Sequence, residues 1–385
     1  MSLVRKPTDC ASAIGGVDRR TFLGIITQAA AAIGLSAASA QRLAAAVTKG
    51  PRPSVIWLHY QECTGCTESL LRTSHPGLAE LVLDLISLDY HETLMAAAGH
   101  QAEAALKTAM EKNAGKYILI VEGAIPLAHD GNYMKIAGRT GIDALQEVAK
   151  SAAVVIALGS CASWGGLPSA DPNPTGAVGA HEILKDRQVI NLPGCPANPY
   201  ILLGVALQFA TMGKLPELDD EGRPKFAYGR VIHEDCPRRA HFDAGRFAVQ
   251  FGDDGHRQGY CLYRLGCKGP NTHASCSTNH FCEVANAWPI GVGAPCFGCT
   301  EKSLAFRVAM FDTVQINRPS PPATYPPISA ERGSVSPVAT GLAGLAAGAV
   351  VTATAKVAKA LRGGAAGPPP GEPAGTGKPG EVCHD

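Results

Sequence analysis

The sequence predicts an α/β protein: a parallel sheet covered by helices on both faces, followed by a smaller and irregular domain. Three observations carry this. Short, unbroken apolar runs of strand length recur between residues 54 and 192, helical stretches lie between them, and beyond about residue 220 the texture turns to glycine, charge and cysteine. Strands buried on both faces read as continuous apolar runs, and strands alternating with helices give parallel crossover connections.

The first strand is Val-Ile-Trp-Leu-His-Tyr after Ser54, with prolines before it and Glu62-Cys63-Thr64-Gly65-Cys66 after it. Its β-branched and aromatic content and its turn-forming ends suit a buried strand. Further strands are expected at Leu81–Leu88, Tyr117–Val121, Val154–Leu158 and Val189–Leu192, and helices at Ile142–Lys150 and Ile201–Met212. At 385 residues the chain can bury two cores. A formal net charge of +1, with no basic run interleaved with aromatics, argues against nucleic acid as a partner.

The N-terminus reads Asp18-Arg19-Arg20-Thr21-Phe22-Leu23-Gly24, then an uncharged, alanine-rich stretch to Ala38-Ser39-Ala40. Paired arginines before a weakly apolar segment and small residues resemble a twin-arginine export signal. Because that route carries folded proteins, often with metal cofactors inserted, the abundance of cysteine, thirteen in all, is expected to serve metal sites in preference to disulfides.

Their spacing supports this. The set is Cys63-x2-Cys66, Cys161, Cys195, then His233-x2-Cys236-x24-Cys261-x5-Cys267, then Cys276-x19-Cys296-x2-Cys299. It divides into a four-thiolate site, a His plus three-Cys site and a three-Cys site. Thiolate-rich sets favour iron-sulfur clusters or zinc, and several in one chain point to electron conduction. Cys63, Cys66, Cys161 and Cys195 each follow an expected strand, so carboxyl-end loops can bring them together. Cys282 lies outside these spacings and reads as a small buried hydrophobe or an alternative fourth ligand; Cys10 and Cys383 read as uninvolved. Spacing alone leaves one corner of the three-Cys site without a ligand.

The expected organisation is a signal at 1–50, the sheet domain at 51–220, the cysteine-rich domain at 221–317, a proline-rich linker at 318–336, a membrane anchor at 337–360 and a disordered tail at 361–385. The anchor reading rests on Val338–Ala355, uncharged and flanked by Lys356, Lys359 and Arg362, with Gly344-x3-Gly348 suited to close helix packing. The basic flank after it suits an exported body with a cytoplasmic C-terminus.

The motifs ECTGCTES, VEGAIP, GSCASWGG, LPGCPANP, HEDCPRR and PCFGC closely resemble the small subunit of periplasm-facing, membrane-bound nickel-iron hydrogenases, over nearly the whole mature chain. The resemblance implies a flavodoxin-like domain holding a proximal 4Fe-4S cluster on Cys63, Cys66, Cys161 and Cys195. It implies a distal 4Fe-4S cluster on His233, Cys236, Cys261 and Cys267, and a medial 3Fe-4S cluster on Cys276, Cys296 and Cys299. Pro289 matches a position where relatives with a four-iron medial cluster have cysteine. Glu62 matches a carboxylate at the subunit interface. The nickel-iron centre is expected in a separate large subunit, and a membrane b-type cytochrome or equivalent as the acceptor, on the periplasmic face of the membrane. Gly65 in the CTGC motif stands where oxygen-tolerant relatives carry an extra cysteine, and the segment after VEGAIP, where the other is expected, has Met134, so a standard, oxygen-sensitive enzyme is expected. The competing readings are the related cluster-bearing protein of respiratory quinone oxidoreductases, which lacks the region from His233 to Cys299, and a zinc-stabilised exported scaffold.

Overall fold

The first expected strand forms as β1 (Ser54–His59), all six residues buried. It is followed by α1 (Gly65–Leu71), β2 (Ser87–His91), α2 (His100–Lys112), β3 (Ile118–Glu122), α3 (Gly141–Ala149), β4 (Val154–Leu158), α4 (Gly159–Trp164), β5 (Val189–Leu192) and α5 (Pro199–Met212). The computed structural model describes residues 52–323, apart from 75–76, 79–80, 82–84 and 282–283, together with residue 356. The signal segment, most of the linker, the 338–355 stretch, Cys10, Cys282 and Cys383 lie outside the described residues. Among the described residues no helix is long and apolar enough to cross a membrane.

The five strands lie in the order β2-β1-β3-β4-β5, and every neighbouring pair is parallel. Period-two alternation sorts each strand onto two cores. Val55, Trp57, Ile118, Ile120, Ile156 and Ile190 pack with Ile201, Leu202 and Val205 of α5 on one face. Ile56, Leu58, Leu119, Val121 and Val155 pack with Leu106 of α2 and Leu145 and Val148 of α3 on the other. Leu145 is 0 % exposed. Leu145→Ala is therefore expected to cost about 2–5 kcal/mol, read as a lowered melting temperature of the assembled protein; an unchanged melt would show that this face is not tightly packed.

Register decides where the loops go. His59 pairs with Glu122, Glu122 with Leu158, and Leu158 with Leu192, so four strands end on one row. The segments that follow must emerge side by side at the carboxyl edge, where ligands of open parallel sheets gather. One expectation is corrected here: the strand placed at Leu81–Leu88 begins only at Ser87, while Leu81 and Leu85 are buried in the core ahead of it.

Beyond residue 224 only short helical turns occur among the described residues. A third apolar cluster forms there from Ile232, Ala248, Leu262, Leu265, Trp288 and Ile290, and three candidate ligands, Cys236, Cys267 and Cys296, are part of it. Hydrogen bonds tie this region to the sheet. Ser160 Oγ donates to Cys299 O at 2.6 Å and accepts from Gly194 N–H at 3.1 Å, and Trp164 Nε1–H donates to Thr300 O at 3.3 Å. Arg223 reaches Asp219 at 2.7 Å and Glu301 at 3.0 Å.

Candidate metal centres

The first site is built at the carboxyl edge. Cys63 and Cys66 follow β1, Cys161 sits in the first turn of α4 directly after β4, and Cys195 follows β5. Glycine makes this geometry possible at two positions: a Cβ on Gly159 (φ +84°) would lie 2.5 Å from Cys66 Sγ, and one on Gly166 (φ +48°) would lie 2.6 Å from Cys161 Sγ. Burial pushes the Cys161 thiol up to about 12, helped by charge on Cys195 and Cys63, and burial likewise raises Cys66, with charge on Cys161 and Cys195 adding to it. The four thiols are thus close enough to repel one another if ionised. Cys63 and Cys195 are exposed, which makes this the one set that opens at the surface of the described residues.

A buried carboxylate locks the loop. Glu122, 2 % exposed, accepts Cys66 N–H at 3.0 Å, Thr67 N–H at 3.1 Å, Thr67 Oγ1–H at 2.6 Å and Trp57 Nε1–H at 3.0 Å. It satisfies the orphan N–H groups at the start of α1, a helix with no side-chain cap of its own. Glu122→Ala strands four donors and is expected to cost on the order of 3 kcal/mol and to lower iron content, with Glu122→Gln losing less. Full stability of the alanine variant would contradict this role. Glu62 lies beside the loop, its Oε1 3.3 Å from His59 Nδ1 and 3.2 Å from Thr64 Oγ1. Burial, then the charge of Glu122, raises its pKa, and its Oε2 has no partner among the described residues.

His233, Cys236, Cys261 and Cys267 line one cavity with Arg238, Tyr263 and Ile290. Burial pushes Cys236 and Cys261 up to about 12, and burial, then Arg239, brings His233 down to about 4, so its imidazole is neutral. His233 Nε2 is buried with no partner among the described residues. Cys276, Cys296 and Cys299 line a second cavity, whose wall also contains Cys195, Trp288 and Pro289. Burial raises Cys276 to about 12 and also raises Cys296 and Cys299. Trp288 Nε1–H is buried without an acceptor among the described residues.

These features fit iron-sulfur clusters. Buried thiols held above neutral ionise only against positive charge such as a coordinated metal. A neutral, unpartnered imidazole nitrogen is a ligand in waiting, and an unpartnered indole N–H suits a cluster sulfur. Backbone N–H groups of Leu167, Arg238, Tyr263, Gly269 and Gly298 already favour the charged sulfurs of Cys161, Cys236, Cys261, Cys267 and Cys296. No group of three or more His, Cys, Asp or Glu side chains among the described residues is gathered tightly enough for a single metal ion. Zinc would need its ligands at about 2.0–2.3 Å; a multi-atom cluster takes ligands set around a cavity.

Comparison with known proteins agrees. The family described as NADH ubiquinone oxidoreductase, 20 Kd subunit, matches residues 63–209, and the family of the C-terminal part of the NiFe/NiFeSe hydrogenase small subunit matches residues 228–312. The second match falls on the region that separates the hydrogenase reading from the quinone oxidoreductase one. The Hydrogenase-2 small chain of Escherichia coli K12 is 50 % identical over 336 residues, 87 % of this chain and 90 % of the relative. The Periplasmic [NiFe] hydrogenase small subunit 1 of Nitratidesulfovibrio vulgaris Hildenborough is 49 % identical over 288 residues, 74 % of this chain and 90 % of the relative. The solved structure of recombinant [NiFeSe] hydrogenase from Desulfovibrio vulgaris Hildenborough in the oxidised state superposes with a TM-score of 0.63 at 35 % identity, over 69 % of this chain and 99 % of that one. Half identical to such a relative across most of both lengths, this chain belongs to the small-subunit family of nickel-iron hydrogenases.

Proposed function

We propose that the eleven residues named above hold three clusters and that this chain carries electrons away from hydrogen oxidation. As a nickel-iron hydrogenase small subunit it is the electron-transfer, iron-sulfur half of a heterodimer with a large subunit. In our reading Cys63, Cys66, Cys161 and Cys195 hold a proximal 4Fe-4S cluster, Cys276, Cys296 and Cys299 a medial 3Fe-4S cluster, and His233, Cys236, Cys261 and Cys267 a distal 4Fe-4S cluster. When bound, such clusters supply the one-electron redox chemistry that protein side chains lack.

The observation that carries this is the succession of the sets. Cys195 belongs to the first set and lines the cavity of the second, where Cys299 stands. The main-chain N–H of Lys268, next to Cys267 of the third set, donates to Cys296 O of the second at 2.7 Å. The second set thus adjoins both of the others, the succession that a path through three clusters would need. Exposed Cys63 and Cys195, with Glu62 beside them, mark the face for the large subunit and its nickel-iron centre. The wire leads away from that face towards a membrane b-type cytochrome or equivalent acceptor.

The same reading divides the mature chain into a flavodoxin-like domain at 51–220, supported by the strand order, and a cluster domain at 221–317, with the linker, the 337–360 anchor and the tail after it. Export by the twin-arginine route to the periplasmic face of the membrane is supported by the arginine pair and by a relative named as periplasmic. With glycine at Gly65 the enzyme is expected to be oxygen-sensitive. The test is purification of the heterodimer, with iron, sulfide and zinc analysis and hydrogen-driven dye reduction. Brown, iron-loaded protein that reduces dye supports the reading, and colourless zinc protein overturns it.

A further inference from the structure

Lys268 directly follows Cys267 and is 0 % exposed, a fully buried cation beside an apolar cluster that includes Cys236, Cys267 and Cys296. Its Nζ lies 2.9 Å from Met310 O, 3.0 Å from Ala309 O and 3.3 Å from both Gly266 O and Asp312 O. A carbonyl only accepts, so this nitrogen must supply every hydrogen; four acceptors more than fill the three N–H donors of an ammonium, and a neutral amine would leave one more of them unserved. All four partners are uncharged, so the hydrogen bonds satisfy the donors without neutralising the charge.

A buried ammonium costs several kcal/mol unless nearby negative charge offsets it, and the Asp312 carboxylate supplies part of that charge. What stands next to Lys268 is the pair of candidate cluster sets: Cys267 precedes it, and its own N–H is bound to Cys296 O at 2.7 Å. Burial disfavours its ammonium and lowers its pKa, and negative charge on Cys296, then Cys267, then Asp312 acts against that. Iron-sulfur cores on thiolates carry net negative charge, which grows on reduction, and nearby positive charge stabilises the reduced form.

We propose that Lys268 is a fixed counter-charge between the distal and medial clusters, a positioning residue that raises the reduction potential of both and draws electrons out of the proximal site. It rests on the cluster assignment proposed above. The chain provides the geometry: the segment from Ala309 to Asp312 folds back so that its carbonyls pin the ammonium beside the two sets, away from solvent.

The test is redox titration of the intact heterodimer, followed by low-temperature electron paramagnetic resonance, with the proximal cluster as internal reference. In Lys268→Met the reduced-to-oxidised ratio of the medial and distal clusters at fixed potential is expected to fall about tenfold, about 59 mV for a one-electron couple, while the proximal cluster is unmoved. Lys268→Gln, which keeps two N–H donors but no charge, should shift both in the same direction, and Lys268→Arg should stay near the parent. Unchanged medial and distal potentials in the neutral variants at full iron content overturn the proposal, as does an equal shift in Lys268→Arg. If both neutral variants lose iron from these two sites and Lys268→Arg retains it, the charge is what holds them and the proposal stands; loss in all three shows packing alone and sinks it. Absence of iron from the parent protein would instead remove the cluster assignment itself.

Discussion

Cys161→Ser is expected to abolish hydrogen-driven reduction of an artificial acceptor while hydrogen–deuterium exchange by the heterodimer persists. Exchange requires only the large subunit's centre, whereas reduction of an acceptor requires an intact path through this chain. Loss of a residue that merely orients a metal ligand costs about 10–100-fold in affinity or activity, so loss of the ligand should cost at least about 100-fold. Serine cannot substitute: its hydroxyl is a harder donor and far less acidic than a thiol. Nor can another group swing in, because backbone at Gly166 closes against the Cys161 sulfur, where a Cβ would lie 2.6 Å away. Iron content and exchange measured on the same preparation separate a broken path from a misassembled complex. Undiminished acceptor reduction with a full proximal site would contradict the assignment of Cys161.

Pro289→Cys is expected to convert the medial site. Pro289 lines the cavity that Cys276, Cys296 and Cys299 share, so a thiol at 289 faces the corner left without a ligand. Its main-chain carbonyl accepts Ala294 N–H at 2.8 Å, a bond that does not depend on the proline ring. The expected result is loss of the three-iron resonance from air-oxidised protein, a gain of one iron per chain and a lower medial potential, since the added thiolate makes the cluster more negative. A persistent three-iron signal in fully loaded Pro289→Cys would show that residue 289 does not stand at the open corner.

Much of this was legible in the residues. The continuous runs that became β1, β3, β4 and β5 are short and are each followed within a few residues by Glu, Gly or Cys, which points to strands ending at the edge that carries the thiols. The run Leu81–Leu88 failed because an apolar run without alternation does not separate strand from helix; Leu81 and Leu85 serve the core from outside the sheet. The proposed ligand sets are read from spacing, because thiolates at these spacings have few other uses. Their supports are not. Glu122 ends an apolar strand, and what it binds shows only once register places it under α1, although a lone acid closing Ile118–Val121 is a signal that could have been used. Ser160 and Lys268 carry no local signal, because each acts on groups brought to it by the fold: Cys299 O lies 139 residues from Ser160, and the carbonyls around Lys268 lie up to 44 residues away.

The central claim is that three ligand sets in line hold two cubanes and one three-iron cluster. Low-temperature electron paramagnetic resonance of the purified, air-oxidised heterodimer, with spins quantified against iron and nickel, tests it most directly. The account predicts a near-isotropic three-iron signal of about one spin per chain, with the remaining iron matching two cubanes. Iron sufficient for three cubanes with no such signal would contradict the medial assignment and turn attention to Cys282 as a fourth ligand, and protein containing zinc in place of iron would contradict the electron path altogether.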